Sequence, residues 1–235
     1  MRTASIIICD VIERLNTFND SEAKQSVLVF LPGLAEIFQF IDFIHESYDR
    51  LWVQQNLELI PLHSSLNEEE QDRAFKTVQK GSRRKVIVST NLAESSITIP
   101  DVKYVVDFML TKEVHYDPTS RSESLELTWC SRANAVQRAG RAGRVMNGHA
   151  FRLVTQHFFK HGVPEFPVPE MQRCPLEKLI LQIKLWDRYK PEEILGRAIQ
   201  PPELRDIMNA IKNLQQTGAL TIPPPILTTK GQLIS

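Results

Sequence analysis

Eight consecutive residues have types and spacing that suit chemistry: Gln137-Arg138-Ala139-Gly140-Arg141-Ala142-Gly143-Arg144. Guanidinium groups present rigid forks of N–H donors that match phosphate oxygens, and a neutral amide can donate and accept, so it can orient a water. On a continuous helix, at about 100° per residue, Gln137, Arg141 and Arg144 share one face while Arg138 points elsewhere. The two glycines are expected to let the backbone approach closely and to end the helix. A basic helix C-terminus that only answers its own dipole needs no such register. The pattern therefore predicts a site for a polyphosphate.

Two further segments place short polar side chains directly after apolar runs. Ser89-Thr90-Asn91 opens a stretch reaching Asp101, and Pro61-Leu62-His63-Ser64-Ser65-Leu66 follows Leu57–Ile60. Ligands of open α/β sheets bind outside the carboxyl ends of the strands, where hydroxyls and amides can meet phosphates without bulk. Each segment alone also fits a capped turn; their recurrence at successive strand ends favours a site. The parts that grip a triphosphate unaided are missing: no Gly is followed by Lys, and no Asp-Glu pair offers itself to Mg²⁺. The arginines are expected to complete a site whose other half lies elsewhere.

The elements that position these residues follow from patterning. Val27–Leu31 is a continuous apolar run of the kind buried on both faces of a parallel sheet. Helices are expected over 4–15 and 35–47, the latter with Ile37, Phe40, Ile41 and Ile44 on one face, and after Asn67, whose following Glu68-Glu69-Glu70 suits the helix dipole. Strands are expected at 57–60, 86–88, 104–106 and 150–154. The repeated β-α-β rhythm implies a parallel sheet covered on both faces. Residues 113–116 and 124–129, around Asp117-Pro118-Thr119-Ser120, predict a β-hairpin attached to that sheet. Prolines between 164 and 175 mark a linker. Two apolar stripes, Leu176/Leu179/Ile180/Ile183 and Leu204/Ile207/Met208/Ile211/Leu214, follow, then short strands at 220–222 and 226–228, which together suggest a small winged helix. The expected division is 1–160 and 161–235.

Composition sets the outer bounds. With 42% hydrophobic and 24% charged residues among 235, the chain is a globular one, not a disordered one. Its 28 basic and 28 acidic residues cancel, which by itself would speak against a polyanion partner. The balance conceals a local excess: between 131 and 163 stand Arg132, Arg138, Arg141, Arg144, Arg152 and Lys160, with no acidic residue. Three dispersed cysteines suit reduced thiols rather than a disulfide frame or a zinc site. No apolar stretch approaches a membrane span, so an intracellular chain with no membrane partner is expected.

These motifs resemble the C-terminal half of DEAH-box (DExH) RNA helicases over nearly the whole chain. Val27–Gly33 resembles helicase motif IV, Pro61–Leu66 motif IVa, Ser89–Asp101 motif V and Gln137–Arg144 motif VI, with Gln137 pointing to the DEAH group. The hairpin at 113–129 matches one the family inserts between motifs V and VI, and Leu227-Thr228-Thr229-Lys230-Gly231 echoes a family stretch. The resemblance implies a RecA-like α/β lobe, with helices on both faces of its sheet and an inserted hairpin, followed by a winged-helix-like domain. It also implies use of ATP with Mg²⁺, the metal being held by an N-terminal RecA-like lobe. Arg141 and Arg144 would be arginine fingers, Gln137 would orient the attacking water, and Phe75 would stack on the adenine. Gly33 (through its backbone), Ser64, Ser65, Thr90 and Asn91 would touch single-stranded RNA. Many family members carry Asp where this chain has Pro100, and Asp101, next in line, is the candidate for the ribose contact. The 93–108 stretch is similar to tudor-domain germline helicases of the piRNA pathway, which implies a cytoplasmic, germ-granule setting, a nuclear one being the alternative, with piRNA-pathway proteins as partners. On this reading the chain alone hydrolyses no ATP. The alternatives are a non-cycling RNA-binding or scaffold module that keeps the fold, and a DNA helicase, which 2′-OH dependence of binding would tell apart.

Overall fold

The computed structural model describes residues 6, 9–14, 25–77, 83–94, 98–117, 120, 122–144, 147–186, 189–222 and 225–234. The chain divides into two compact units, one comprising 1–112 with 127–167 and the other 113–126 with 168–235. The sequence-expected boundary at 160 thus moves a few residues on, and the outer part of the hairpin belongs with the second unit.

The first unit begins with a helical segment at 9–14 (α1), within the expected 4–15 span, of which the remainder save residue 6 lies outside the described residues. Then come β1 (Ser26–Phe30), α2 (Leu34–Ser47), α3 (Arg50–Asn56), β2 (Leu57–Leu62), α4 (Glu68–Phe75), β3 (Arg84–Ser89), a 3-10 turn (Asn91–Glu94) and β4 (Val102–Asp107). After the hairpin strands β5 (Leu110–Asp117) and β6 (Ser122–Trp129) follow α5 (Arg132–Ala139), β7 (His149–Arg152) and α6 (Gln156–His161). Five strands form one parallel sheet in the order β2-β3-β1-β4-β7. Alternation along β1 explains its unbroken apolar run. Val27, Val29 and Leu31 pack with Ile37, Phe40, Ile44 and Val53 on one face, while Leu28 and Phe30 pack with Ala74, Ile87 and Val105 on the other. Both faces are covered, so neither tolerates polar residues.

Pro61 does not end β2 as expected; it pairs in register with Val88. The strand lies at the sheet edge, where a missing N–H is tolerated. Helix α4 starts with the expected cap, and more completely: Asn67 accepts from the Glu70 N–H at 2.8 Å, and Glu70 reaches back to the Asn67 N–H at 3.4 Å. Helix α3 had no clear signal in the sequence; Asp49 caps it through the N–H groups of Leu51 and Trp52. The hairpin is not part of the main sheet. Strands β5 and β6 pair only with each other.

The second unit is mainly helical: α7 (Glu170–Arg173), α8 (Glu177–Leu185), α9 (Pro191–Leu195), α10 (Leu204–Gln216) and α11 (Thr229–Ile234). Its core joins Leu176, Ile180, Ile183, Ile207, Ile211 and Leu214, as expected, but Leu204 and Met208 are exposed, and Ala210 takes the inward position. The two expected wing strands reduce to a single antiparallel bridge, Leu220 to Leu227, and the Thr229-Lys230-Gly231 stretch opens α11. Arg173 of α7 donates to the Val114 carbonyl of β5 at 3.1 Å. Among the described residues, no helix is long and apolar enough to cross a membrane.

Candidate functional site

The sheet register aligns the strand ends that carry the polar segments. Leu62, Ser89, Phe30 and Asp107 pair across neighbouring strands in one row. The residues just beyond them, Ser64 and Ser65, Thr90 and Asn91, and Gly33, therefore share the carboxyl edge of the sheet, as the parallel topology requires. Ser64, Ser65 and Asn91 are exposed there; Thr90 and Gly33 are buried at its base. The serine turn is held by its own bonds, the Ser65 N–H donating to His63 Nδ1 at 3.1 Å and the Leu66 N–H to the His63 carbonyl at 3.1 Å. A side chain on Gly33 would collide with Glu36, which pairs with Lys112 at 2.7 Å over this turn. Lys112 was not singled out in the sequence, because only the fold brings it next to Gly33.

Helix α5 is capped by Ser131, which accepts from the Asn134 N–H. It ends earlier than the periodicity suggests. Gly140 is its C-cap, and the Arg141 and Ala142 N–H groups bond three residues back, to Arg138 and Ala139, at 3.1 Å each. Arg141 and Arg144 thus stand on tightened turns beyond the helix, not on a continuous helical face with Gln137, which is exposed on its last turn. Of Gly140, Gly143 and Gly148, the tightest is Gly148. A Cβ on Gly143 would meet nothing, whereas one on Gly148 would lie 2.3 Å from the Ala142 carbonyl and 2.5 Å from that of Lys103. Only glycine fits there.

Both arginines reach onto the segment that follows β3. Arg141 Nη2 donates to the Glu94 carbonyl at 2.6 Å, and Arg144 Nη1 to the Thr98 hydroxyl. Residues 95–97, in the middle of that motif, lie outside the described residues. Partial burial pushes the Arg141 guanidinium below its ordinary value, and the charge of Arg144 pushes it further, against the pull of Glu94. Two like charges held together in this way favour an anion between or beside them.

Arg138 points away from that pair, as expected, and its destination is the protein interior. Only 1% exposed, it donates from Nε to Glu94 Oε2 at 3.0 Å and from Nη1 to Asp107 Oδ1 at 2.9 Å, with its guanidinium over the Phe30 ring. Burial alone would lower its pKa, yet Asp107 and Glu94 hold it above the ordinary arginine value. Asn134 also donates to Glu94, and Asp107 Oδ1 accepts from the N–H of Met109, a left-handed residue at φ 61°. Glu94 is thus a hub that sequence reasoning missed: its carboxylate holds Arg138 and Asn134 while its carbonyl holds Arg141. The local basic excess shrinks accordingly. Arg132 pairs with Glu165 at 3.6 Å, and Arg152 lies over the Phe159 ring.

Phe75, at the end of α4, is half-buried against the cluster that also contains Ala142, Ile99 and Val102. Asp101, the candidate for the ribose contact, lies inside the fold. It is 7% exposed, and its carboxylate pairs with Lys85 Nζ at 2.9 Å inside the fold. Turning it outward would strand a buried ammonium. Among the described residues, no group of three or more His, Cys, Asp or Glu could hold a metal.

The comparisons with known proteins agree with this arrangement. A family model described as the helicase conserved C-terminal domain matches residues 7–146. The chain is 43% identical over 230 residues to the probable ATP-dependent RNA helicase spindle-E of Anopheles gambiae, covering 96% of this chain and 15% of that protein. It is 47% identical over 199 residues to the ATP-dependent RNA helicase TDRD9 of Homo sapiens, covering 85% of this chain and 14% of that one. Among solved structures, the E. coli DExH-box NTPase HrpB matches with a TM-score of 0.79 at 25% identity, over 98% of this chain and 26% of that chain. The chain spans only 14–15% of the length of the two RNA helicases. With this sheet, these motifs and these relatives, the chain belongs to the helicase conserved C-terminal domain family, in its DEAH-box (DExH) branch.

Proposed function

We propose that this chain is the C-terminal RecA-like lobe through which an ATP-dependent RNA helicase completes its nucleotide site. The observation that carries the reading is the pair Arg141 and Arg144, which donate to the Glu94 carbonyl and the Thr98 hydroxyl of one short segment, with burial first and the Arg144 charge second lowering the pKa of Arg141. The donor set fits a polyphosphate: two guanidinium forks and, one turn before them, the exposed amide of Gln137. ATP bound between this lobe and an N-terminal one would supply the phosphoryl group, with Mg²⁺ held by that other lobe. On this side Arg141 and Arg144 neutralise developing charge on the phosphate oxygens, Gln137 orients a water, and the Phe75 ring packs against the base. Asn91, Ser64 and Ser65, at the carboxyl edge, grip the backbone of single-stranded RNA, with Thr90 and the Gly33 backbone shaping the edge beneath them. Contacts to phosphates alone make such a grip sequence-independent. The names of the similar proteins spindle-E and TDRD9 favour a place in germline piRNA silencing; a cytoplasmic setting and piRNA-pathway proteins as partners belong to the same proposal.

The test is ATP turnover by the full-length protein. Arginine fingers contribute about 10³–10⁵ in rate in related phosphoryl transfers, so Arg141→Ala and Arg144→Ala should each nearly abolish RNA-stimulated hydrolysis while leaving the fold intact. Wild-type turnover in both variants would overturn the assignment and favour a scaffold role.

A further inference from the structure

Lys85 is a buried cation for which the site described above has no use. It is the second residue of β3, and its side chain is 2% exposed. Its flanking strand residues Val86, Ile87 and Val88 are apolar and fully buried, so an ammonium here is held against a substantial desolvation penalty. Its ammonium donates to the Ala74 carbonyl at 3.1 Å and the Lys76 carbonyl at 2.6 Å, and it is ion-paired with the Asp101 carboxylate at 2.9 Å. Those two carbonyls flank a single residue, Phe75.

The consequence is local and geometric. Phe75 is the last residue of α4, and Lys76 already leaves the helix at φ −67°, ψ 131°. A helix end of this kind has carbonyls without intrahelical partners, and it frays unless they are bound. Lys85 binds the carbonyl on each side of Phe75, so the backbone that sets the direction of the Phe75 Cα–Cβ bond is clamped at both ends. Asp101 pairs with the same ammonium and anchors the clamp to the start of β4, where its own carbonyl accepts from the Ser26 N–H at 2.9 Å. We propose that Lys85 is a positioning residue for nucleotide binding, acting through the Phe75 ring, and that Asp101 serves as its counter-ion.

The inference rests on the stacking role given to Phe75 above, and a double-mutant cycle separates the two. In the full-length protein, KM for ATP and kcat are measured for Phe75→Ala, Lys85→Met and the double variant, alongside thermal melting. Loss of an ordered stacking ring should raise KM for ATP about tenfold in each single variant, with kcat within about twofold. The double variant should be no worse than Phe75→Ala alone, because Lys85 acts only through that ring. Should Lys85→Met fail to fold, Lys85→Gln, which keeps two N–H donors without the charge, takes its place in the same cycle. A variant at Lys85 that melts lower with an unchanged KM, or effects that add, would overturn the Lys85 proposal while leaving Phe75 in place. An unchanged KM in Phe75→Ala would remove the stacking role itself, and the inference with it.

Discussion

Replacing Arg138 by Met tests how the 137–144 motif is held to Glu94 and Asp107. The substitution keeps much of the side-chain length and removes the guanidinium, leaving Glu94 and Asp107, both buried, without the cation that lies 3.0 and 2.9 Å away. Breaking a buried pair by deleting one partner costs about 3–5 kcal/mol, because a charge is left uncompensated. Domains are stable by only about 5–15 kcal/mol, so this is a large fraction of the whole. For a chain of this size, about 2–4 °C of melting temperature follows each kcal/mol, which gives a loss of roughly 6–20 °C. Differential scanning calorimetry or a circular-dichroism melt reads it directly. A second variant separates charge from shape: Arg138→Met combined with Glu94→Gln and Asp107→Asn removes all the charges and should recover most of the loss. Melting of the single variant within about 2 °C of wild type would refute the view of Arg138 as the cation of a buried network. So would a triple variant no more stable than the single one.

Other expectations follow from individual contacts. Arg141→Lys keeps the charge but loses the fork, so RNA-stimulated ATP turnover should fall nearly as far as in Arg141→Ala; lysine activity close to wild type would show that charge alone suffices. Asn67→Ala removes one half of a capping box and should cost about 1 kcal/mol in a denaturant titration, with the denaturant slope unchanged. Burial pushes the Cys130 thiol up to about 12 and Cys9 up to about 11. At pH 8 only about one Cys130 in 10⁴ is then a thiolate, so native alkylation followed by mass spectrometry should label the half-buried Cys174 first and leave Cys130 unlabelled until the protein unfolds.

The sequence by itself determined the fold class and the addresses of the motifs, because both depend on local patterning. The continuous apolar run of β1 reads as a strand covered on both faces, and Asn67 before three glutamates reads as a helix start, as the structure has them. Successive polar segments after strand ends had to share one edge once the sheet was parallel. What it could not determine was the fate of each charge. Arg138, Arg141 and Arg144 are chemically identical and within seven residues, yet one is sealed between Glu94 and Asp107 while the others reach the 94–98 segment. That choice depends on carboxylates 31 and 44 residues distant in the chain. The early end of α5 at Gly140 likewise reflects packing that seats Ala142 in the core and brings Gly148 against its carbonyl. Asp101 illustrates the same limit: beside Pro100 it lies in a stretch from which the sequence suggests a ligand contact, but the fold pairs it with Lys85, a partner from a strand two places away in the sheet. Ion pairs and close approaches couple residues far apart in sequence, and only the folded chain brings those partners together.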